Sequence, residues 1–360
     1  MQFVGRLARS ELVKSNWEKP VGMWLGASAG LLSGMVLVGG YTRLTGSGLS
    51  MTSWNFTGNS LPRGQQWLEE FERYKLFPEY IRMHHGRMTL DEFKEIYLVE
   101  WFHRTLGRAT GIFFVLPFAG LLAAGIIKRQ LAFRISALAG LGLCQGFIGW
   151  WMVKSGLKQE LLEDSGRPRV SSYRMCFHWL MALTLYGSTL WLSWALLLKR
   201  PTLPVEVLRK VRRAALPATV FAGATLVSGP FVAGNDAGRA YNSWPKMGDV
   251  WVPPEVSQMV AEPKRIFEDT AVVQFNHRML AYSTVLSSVG FGLAAHALVP
   301  KGSGLISIAC RAVPALALMQ MCLGITTLLM YVPTGLGVAH QGGGLAVFTG
   351  LLLVRFLTSH

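Results

Sequence analysis

Eight long stretches of mostly apolar residues run through this chain of 360 residues. A helix needs about 20 residues to cross a ~30 Å hydrocarbon layer, and within that layer only helices and closed barrels pair every backbone group. Only 15% of the residues are charged, compared with about 25% in soluble domains. The sequence predicts an all-α, polytopic membrane protein with spans near Val21–Leu44, Glu100–Ile127, Ile135–Val153, Tyr173–Leu198, Ala214–Asn235, Val273–Val299, Leu305–Tyr331 and Val338–Leu357.

The net charge of +15 is distributed unevenly between the two predicted membrane faces. The N-terminal segment, three connections and the C-terminal tail carry 16 Lys and Arg against three acidic residues, while the opposite loops hold most of the acids. By the positive-inside rule the termini face the matrix or cytoplasm. The charge therefore indicates orientation in a membrane rather than a nucleic-acid partner, which would need a basic face or a stacking groove.

Short motifs recur in the same order in the two parts of the chain. Val99–Arg104 resembles Val273–Arg278 at an offset of 174 residues, and Ser53-Trp54 after the first span has a counterpart in Ser243-Trp244 after the fifth. Gln145 and Gly149 likewise match Gln320 and Gly324. These matches predict two pseudo-symmetric four-helix bundles. The predicted division is an inner-side segment 1–20, a first half 21–198 with a large outer loop 45–99, a basic linker 199–213, a second half 214–357 and a tail 358–360.

Four of the eight histidines lie at the outer ends of the even-numbered spans. The repeat pairs His103 with His277 and His178 with His340, so each half has two imidazoles at equal depth on different helices. This arrangement suits a haem iron, which takes one axial ligand on each face of the macrocycle. Zinc usually needs four ligands, and each half offers two. The alternative is that these histidines are interfacial and bind no metal.

Arginines accompany the histidines at the outer helix ends. Arg104 and Arg278 directly follow His103 and His277, and Arg174 lies one turn outward of His178. Guanidinium groups here could bind haem propionates through charge-assisted hydrogen bonds, or they could extend to lipid phosphates. Arg43 lies in a Gly/Thr/Ser-rich stretch at the end of the first span. It could belong to the haem environment, or it could cap helix carbonyls.

One position distinguishes the two halves chemically. Glu100 lies three residues before His103, whereas the second half has Gln274 at the equivalent position. A carboxylate can accept or relay protons, or stabilise a developing cation, while an amide only forms hydrogen bonds. We therefore expect the first half to perform chemistry and the second to carry electrons or to be structural. The alternative is a glutamate paired with a local arginine.

A set of motifs in this chain resembles those of the haem A synthases, in particular the mitochondrial and alphaproteobacterial branch. The resemblance extends from about Val21 to Leu357 and is specific in combination. The motifs are Thr42-Arg43-Leu44-Thr45, Ser47-Gly48-Leu49-Ser50, Glu100-Trp101-Phe102-His103-Arg104, Gln145-Gly146, Gly149 to Leu157, Pro168-Arg169-Val170, Val232 to Gly238, Pro245-Lys246-Met247-Gly248, Gln274 to Arg278 and His340-Gln341.

The resemblance implies oxidation of the C8 methyl group of haem O to the formyl group of haem A, by oxygen-dependent hydroxylations and loss of water. It implies a b-type haem at His277 and His340, and haem O or haem A at His103 and His178, with Glu100 as the functional glutamate. Many bacterial relatives have a cysteine pair in the first outer loop, and this sequence has none. Gly46 stands where relatives commonly have a larger polar residue.

The resemblance also implies partners and a location. These are O₂, a ferredoxin-like electron donor, haem O synthase, oxidase assembly factors and a second copy of the chain. The implied location is the mitochondrial inner membrane, with the termini in the matrix and the large loops in the intermembrane space; the bacterial plasma membrane is the alternative. Two rival functions stay open on the sequence alone, a diheme electron-transfer protein of the cytochrome b type and a transporter without haem.

Overall fold

The computed structural model describes residues 9–84, 86–162, 168–259 and 262–359. Within these ranges the chain is helical, and its only β-type pairings are two isolated bridges. The prediction of an all-α membrane protein is confirmed. The first eight residues of the predicted inner-side segment 1–20, and His360 of the predicted tail, lie outside the described residues.

Eight long helices occupy the positions of the predicted spans, to within a few residues at most ends. They are α1 Glu18–Leu44, α2 Leu90–Ala123, α3 Arg129–Gly156, α4 Ser172–Leu197, α5 Leu216–Gly234, α6 Thr270–Leu298, α7 Leu305–Leu329 and α8 Thr334–Leu357. In the described part of the chain, seven helices are long and apolar enough to cross a membrane, α5 being counted with the short helix Val205–Ala214 that precedes it. The exception is α6, whose apolar residues are interrupted by hydroxyl side chains such as Thr284 and Ser288. An eighth span therefore stays a prediction.

The two ends of α2 show how local sequence sets a helix boundary. It begins about ten residues before its predicted span because Thr89 and Glu92 form a capping box, in which each side chain accepts from the other residue's backbone N–H. It ends at Ala123 rather than at the predicted Ile127. Gly125 takes a positive φ of 62°, and the N–H of Ile126 bonds back to Leu121, which is the Schellman pattern of a helix end.

The helices pack in two rings with the same cyclic order. In the first half α1 contacts α2, α2 contacts α3, α3 contacts α4, and α4 closes the ring on α1; α5 to α8 repeat this sequence of contacts. Separate clusters of buried apolar residues fill the two rings. These contacts agree with two four-helix halves, and the pseudo-symmetry that relates them stays a prediction.

The halves meet along α1, α4 and α8, with α5 against α4. Ala29, Val36, Leu183, Tyr186 and Leu345 form the buried apolar centre of this contact. A hydrogen bond of 2.8 Å between the hydroxyls of Tyr186 and Thr349 joins α4 to α8 within it. The interface therefore buries side chains of both halves in one continuous contact.

The segments that we assigned to the inner face lie together at one end of the molecule. The backbone of Lys14 bonds to Ile126, and that of Lys128 bonds to Leu12, which joins the N-terminal segment to the connection between α2 and α3. Arg9 donates to the carbonyl of Leu198 at the end of α4. These contacts join the N-terminal segment to the α2–α3 connection and to the end of α4, and the orientation in the membrane stays a prediction.

Leucine truncation distinguishes core positions from positions that face lipid. Leu25 is fully buried between helices, while Leu143 on α3 is 66% exposed at the outer surface of the ring. We expect Leu25→Ala to destabilise the protein by about 2–5 kcal/mol because it leaves a cavity, and Leu143→Ala to have little effect. Thermal unfolding in detergent micelles measures both. Equal losses in the two variants would contradict this packing.

Candidate active site

The structure brings the imidazoles of His277 on α6 and His340 on α8 close together inside the second ring. Their ring centroids are 6.5 Å apart and the ring planes are inclined at 74°. Metal–imidazole bonds of about 2 Å on opposite sides of one ion give ring centroids roughly 6 Å apart. The pair therefore fits the axial ligation of a haem iron.

Neighbouring side chains hold both imidazoles of the second half. The hydroxyl of Ser228 lies 2.6 Å from Nδ1 of His277. Gln320 of α7 donates to the backbone carbonyl of His340 at 2.8 Å, and the same amide nitrogen lies 3.1 Å from Nδ1 of that ring. The Ser228 hydroxyl donates to the carbonyl of Thr225, so its oxygen can accept from Nδ1–H of His277, which leaves Nε2 of that ring for a metal. The Gln320 amide holds the backbone of His340.

The first half has a similar framework around His103 and His178. Gln145 donates to the backbone carbonyl of His178 at 3.0 Å, as its repeat counterpart Gln320 does to His340. The Nδ1 atoms of His103 and His178 differ from those of the second half, because both are buried without a hydrogen-bond partner among the described residues. Their unsatisfied nitrogens fit a site that is completed by a bound group.

Glycines lie opposite three of the four histidines. A Cβ atom would stand 3.2 Å from Cε1 of His103 at Gly39, and 3.1 Å from Cε1 of His178 at Gly149. At Gly324, the repeat counterpart of Gly149, it would stand 2.8 Å from Cε1 of His340. Side chains at these positions would press on the rings, so the glycines leave the space in which the imidazoles sit.

Glu100 is buried beside His103 and is held by three donors. Oε2 accepts from the Ser50 hydroxyl at 2.7 Å and from the backbone N–H of Met51 at 2.8 Å, while Oε1 accepts from Arg104 at 2.6 Å. Glu100 is 2% exposed, and the Arg104 side chain is 8% exposed. The glutamate is thus paired with a local arginine, as one reading of the sequence expected, but in a buried pair next to a histidine site rather than at an exposed interface.

The second half repeats this arrangement with an amide in place of the carboxylate. Arg278 donates to Gln274 at 3.1 Å and to the carbonyl of Tyr241 at 2.9 Å, and Arg104 makes the corresponding bond to the carbonyl of Met51 at 3.0 Å. The Gln274 amide donates to the backbone carbonyl of Ala237. Both halves thus share the arginine and its bond to a backbone carbonyl, and only the first half has a carboxylate at this position.

The other two predicted arginines also bind protein groups. Arg174 donates to the carbonyl of Trp151 at 2.7 Å and stacks on its ring. Arg43 donates to the carbonyl of Ala233 at the end of α5, at 2.7 Å, and pairs with Asp236. Arg43 therefore caps a helix carbonyl, which is the alternative that we considered for it. Propionate binding by the four arginines stays a prediction.

The profile of the COX15-CtaA family, described as cytochrome oxidase assembly proteins, matches residues 22–352. The chain belongs to this family. A heme A synthase COX15 of Arabidopsis thaliana is 44% identical over 354 residues, which cover 94% of this chain and 74% of the relative. A heme A synthase of Rhodospirillum centenum is 42% identical over 337 residues, which cover 93% of this chain and 87% of the relative.

A further COX15-CtaA relative carries an additional domain. The heme A synthase-mitochondrial ferredoxin fusion protein of Schizosaccharomyces pombe is 35% identical over 381 residues, which cover 97% of this chain and 61% of the fusion. Similarity at this level over nearly the whole chain confirms the family resemblance that the motifs indicated.

Sequence reasoning did not find several residues of this COX15-CtaA site. Met51 and Ser228 bind functional side chains through groups that have no distinctive sequence pattern, and Ser50, although part of a quoted motif, was given no role. Gln145 and Gln320 did have a signal, since both are amides within apolar spans at equivalent places in the two halves. Polar side chains in such positions are costly and usually functional.

Glu79 is a second carboxyl group close to the first-half site, in the loop outside the membrane. It accepts a hydrogen bond of 3.1 Å from the hydroxyl of Tyr74, a fully buried member of an aromatic cluster that also contains Met51. Burial raises the pKa of Glu79 to about 8; the Tyr74 hydrogen bond opposes this rise, and the charge on Glu100 adds to it. Glu79 is thus neutral across much of the range in which an ordinary glutamate is ionised.

The raised pKa of Glu79 predicts a pH-dependent stability. The folded protein keeps a proton that the unfolded chain releases near pH 4.5, so stability falls as pH rises from there towards 8. Glu79→Gln removes this dependence. Between pH 5.5 and pH 8, the melting temperature of the variant should therefore rise relative to that of the wild type. Glu69→Gln, at an exposed position of the same loop, is the control. A constant difference between wild type and Glu79→Gln over this range would contradict the prediction.

Proposed function

We propose that this protein is a haem A synthase, an oxidoreductase that converts the C8 methyl group of haem O to the formyl group of haem A. Its family membership and its similarity to relatives that are named heme A synthase support this activity. The observation in the structure that carries the proposal is the buried carboxylate of Glu100 beside His103, at the position where the second half has Gln274.

We assign the resident b-type haem to His277 and His340, and the substrate haem to His103 and His178. The contacts of the rings support this division. In the second half both Nδ1 atoms have polar partners within hydrogen-bond distance, which suits ligands that hold one cofactor permanently. In the first half both Nδ1 atoms lack such partners, and the Gln145 amide lies 3.4 Å from Nε2 of His178. These missing or longer contacts suit a haem that must be exchanged.

We propose that Glu100 acts on the substrate rather than on the iron. Two successive hydroxylations of the methyl group, followed by loss of water, give the formyl group, and each consumes O₂, two electrons and two protons. A carboxylate can accept or relay these protons, or stabilise positive charge on the carbon under oxidation. Ser50, the Met51 N–H and Arg104 hold Glu100 in one orientation.

The electrons come, in this proposal, from a ferredoxin-like donor. The fission yeast relative is named as a fusion with mitochondrial ferredoxin, which supports a donor of this class. The haem of the second half supplies one-electron redox chemistry when it is bound. Haem O synthase, oxidase assembly factors and a second copy of this chain are further proposed partners.

We also propose a location and an orientation for the chain. The gathered basic segments at one end of the molecule fit a matrix or cytoplasmic face. The loops between α1 and α2 and between α5 and α6 then face the intermembrane space of mitochondria. In a bacterium the same orientation would place them on the outer side of the plasma membrane.

Replacement of Glu100 by glutamine tests the catalytic role. Glu100→Gln is close in shape and copies the residue of the second half, so the helices should keep their places. We expect conversion of haem O to haem A to fall by at least tenfold, because a general acid–base group contributes about 10²–10⁴-fold. Pigment extraction and chromatography measure the conversion, with Glu95→Gln, exposed on the same helix, as control. Normal conversion by Glu100→Gln would disprove the role.

Histidine substitutions test the division between the two haems. His277→Ala should lose haem B and keep haem O, whereas His103→Ala should lose haem O and haem A and keep haem B. Chromatography of pigments from the purified variants separates the three. Haem B alone in the wild type would indicate an electron carrier, no haem would indicate a transporter, and loss of haem B in His103→Ala would reverse the assignment.

A further inference from the structure

Helix α8 crosses α1 at close range through positions that lack side chains. At Gly337 a Cβ atom would stand 2.6 Å from Leu44, and at Gly342 it would stand 3.2 Å from Leu37. Both leucines belong to α1, so a stretch of α8 that includes His340 lies directly against the first half. The contact therefore connects the second-half histidine helix to a helix of the first-half site.

Gln341, the residue after His340, reaches across this contact. Its amide donates a hydrogen bond of 3.0 Å to the backbone carbonyl of Val36 in α1. Its Oε1 atom occupies the space beside Gly40, where a Cβ atom would stand 1.7 Å away. A carbonyl has two lone pairs, so Val36 can accept this bond and still take part in its helix. The side chain fits only because residue 40 has none.

The same segment of α1 also contacts the first-half site. Gly39, the neighbour of Gly40, lies against the ring of His103, with 3.2 Å between Cε1 and the place of a Cβ atom. Two consecutive glycines thus connect the segment to His103 and to the residue that follows His340. The first half has no counterpart of Gln341, because Trp179 follows His178.

We propose that Gln341 is a positioning residue for His340, which seats α8 on α1 and so makes the geometry of the second-half haem ligand depend on the segment that backs His103. The proposal rests on the assignment of a haem to His277 and His340. Axial-ligand orientation and the nearby hydrogen bonds tune a haem iron. Loss of the Gln341 bond should therefore alter the properties of that haem without removing a ligand.

Two single variants and their combination test the proposal. Gln341→Ala removes the amide. Gly40→Ala inserts a methyl group where Oε1 lies and displaces the flexible end of Gln341 from Val36. Gly34→Ala is the matched control, since it makes the same substitution in α1 at a position with no atom within 4 Å of the new Cβ. The electron paramagnetic resonance spectrum and midpoint potential of the b-type haem are measured on each purified holoprotein, with haem content and melting temperature.

Both single variants should shift the resonance spectrum and the midpoint potential in the same direction, with haem B content retained. The double variant should shift no further than either single variant, because both changes break one interaction. Gly34→Ala should match the wild type. Spectra and potential unchanged in Gln341→Ala would overturn the proposal, as would additive shifts in the double variant. A wild type without haem B contradicts the proposed function itself, and unchanged variants of a haem-containing wild type contradict only the role of Gln341.

Discussion

The imidazoles can stand between the helices because glycine lies opposite them. Packed helix axes are usually 8–10 Å apart, and rings placed at such a crossing need a partner position without a side chain. Gly39, Gly149 and Gly324 supply it for His103, His178 and His340. Each of these rings therefore packs against a position without a side chain, which is part of the rigid support that a functional site requires.

The two halves share several hydrogen bonds around their histidines. Arg104 and Arg278 make corresponding bonds to backbone carbonyls, and Gln145 and Gln320 hold corresponding histidine carbonyls. The differences are few and local: the first half has a carboxylate and the second an amide three residues before a histidine, and the Nδ1 atoms have polar partners in the second half but none among the described residues in the first. The two halves thus share these hydrogen bonds and differ at the residues next to their histidines.

The sequence was informative where a feature repeats or follows a physical period. Hydropathy predicted the positions of the long helices, because the bilayer demands long apolar stretches, although hydroxyl side chains interrupt α6. The motif offset of 174 residues paired His103 with His277. The early end of α2 could not be seen in the same way, since Ala123 and Ile127 are both apolar and the boundary depends on the backbone of Gly125. Glu79 and Ser228 were missed because their partners are brought to them only by folding.

The contact of Arg43 has a consequence for how a protein of this kind is assembled. The offset between Ser53-Trp54 and Ser243-Trp244 aligns Arg43 with Ala233, whose carbonyl accepts its hydrogen bond, and the arginine also pairs with Asp236. In an assembly of two first halves, the Arg43 guanidinium of each copy would lie at this contact. Gly46, which aligns with Asp236, would then stand in place of the aspartate. The interface is thus built for unlike partners, and joining them in one chain gives each its correct neighbour at a high effective concentration.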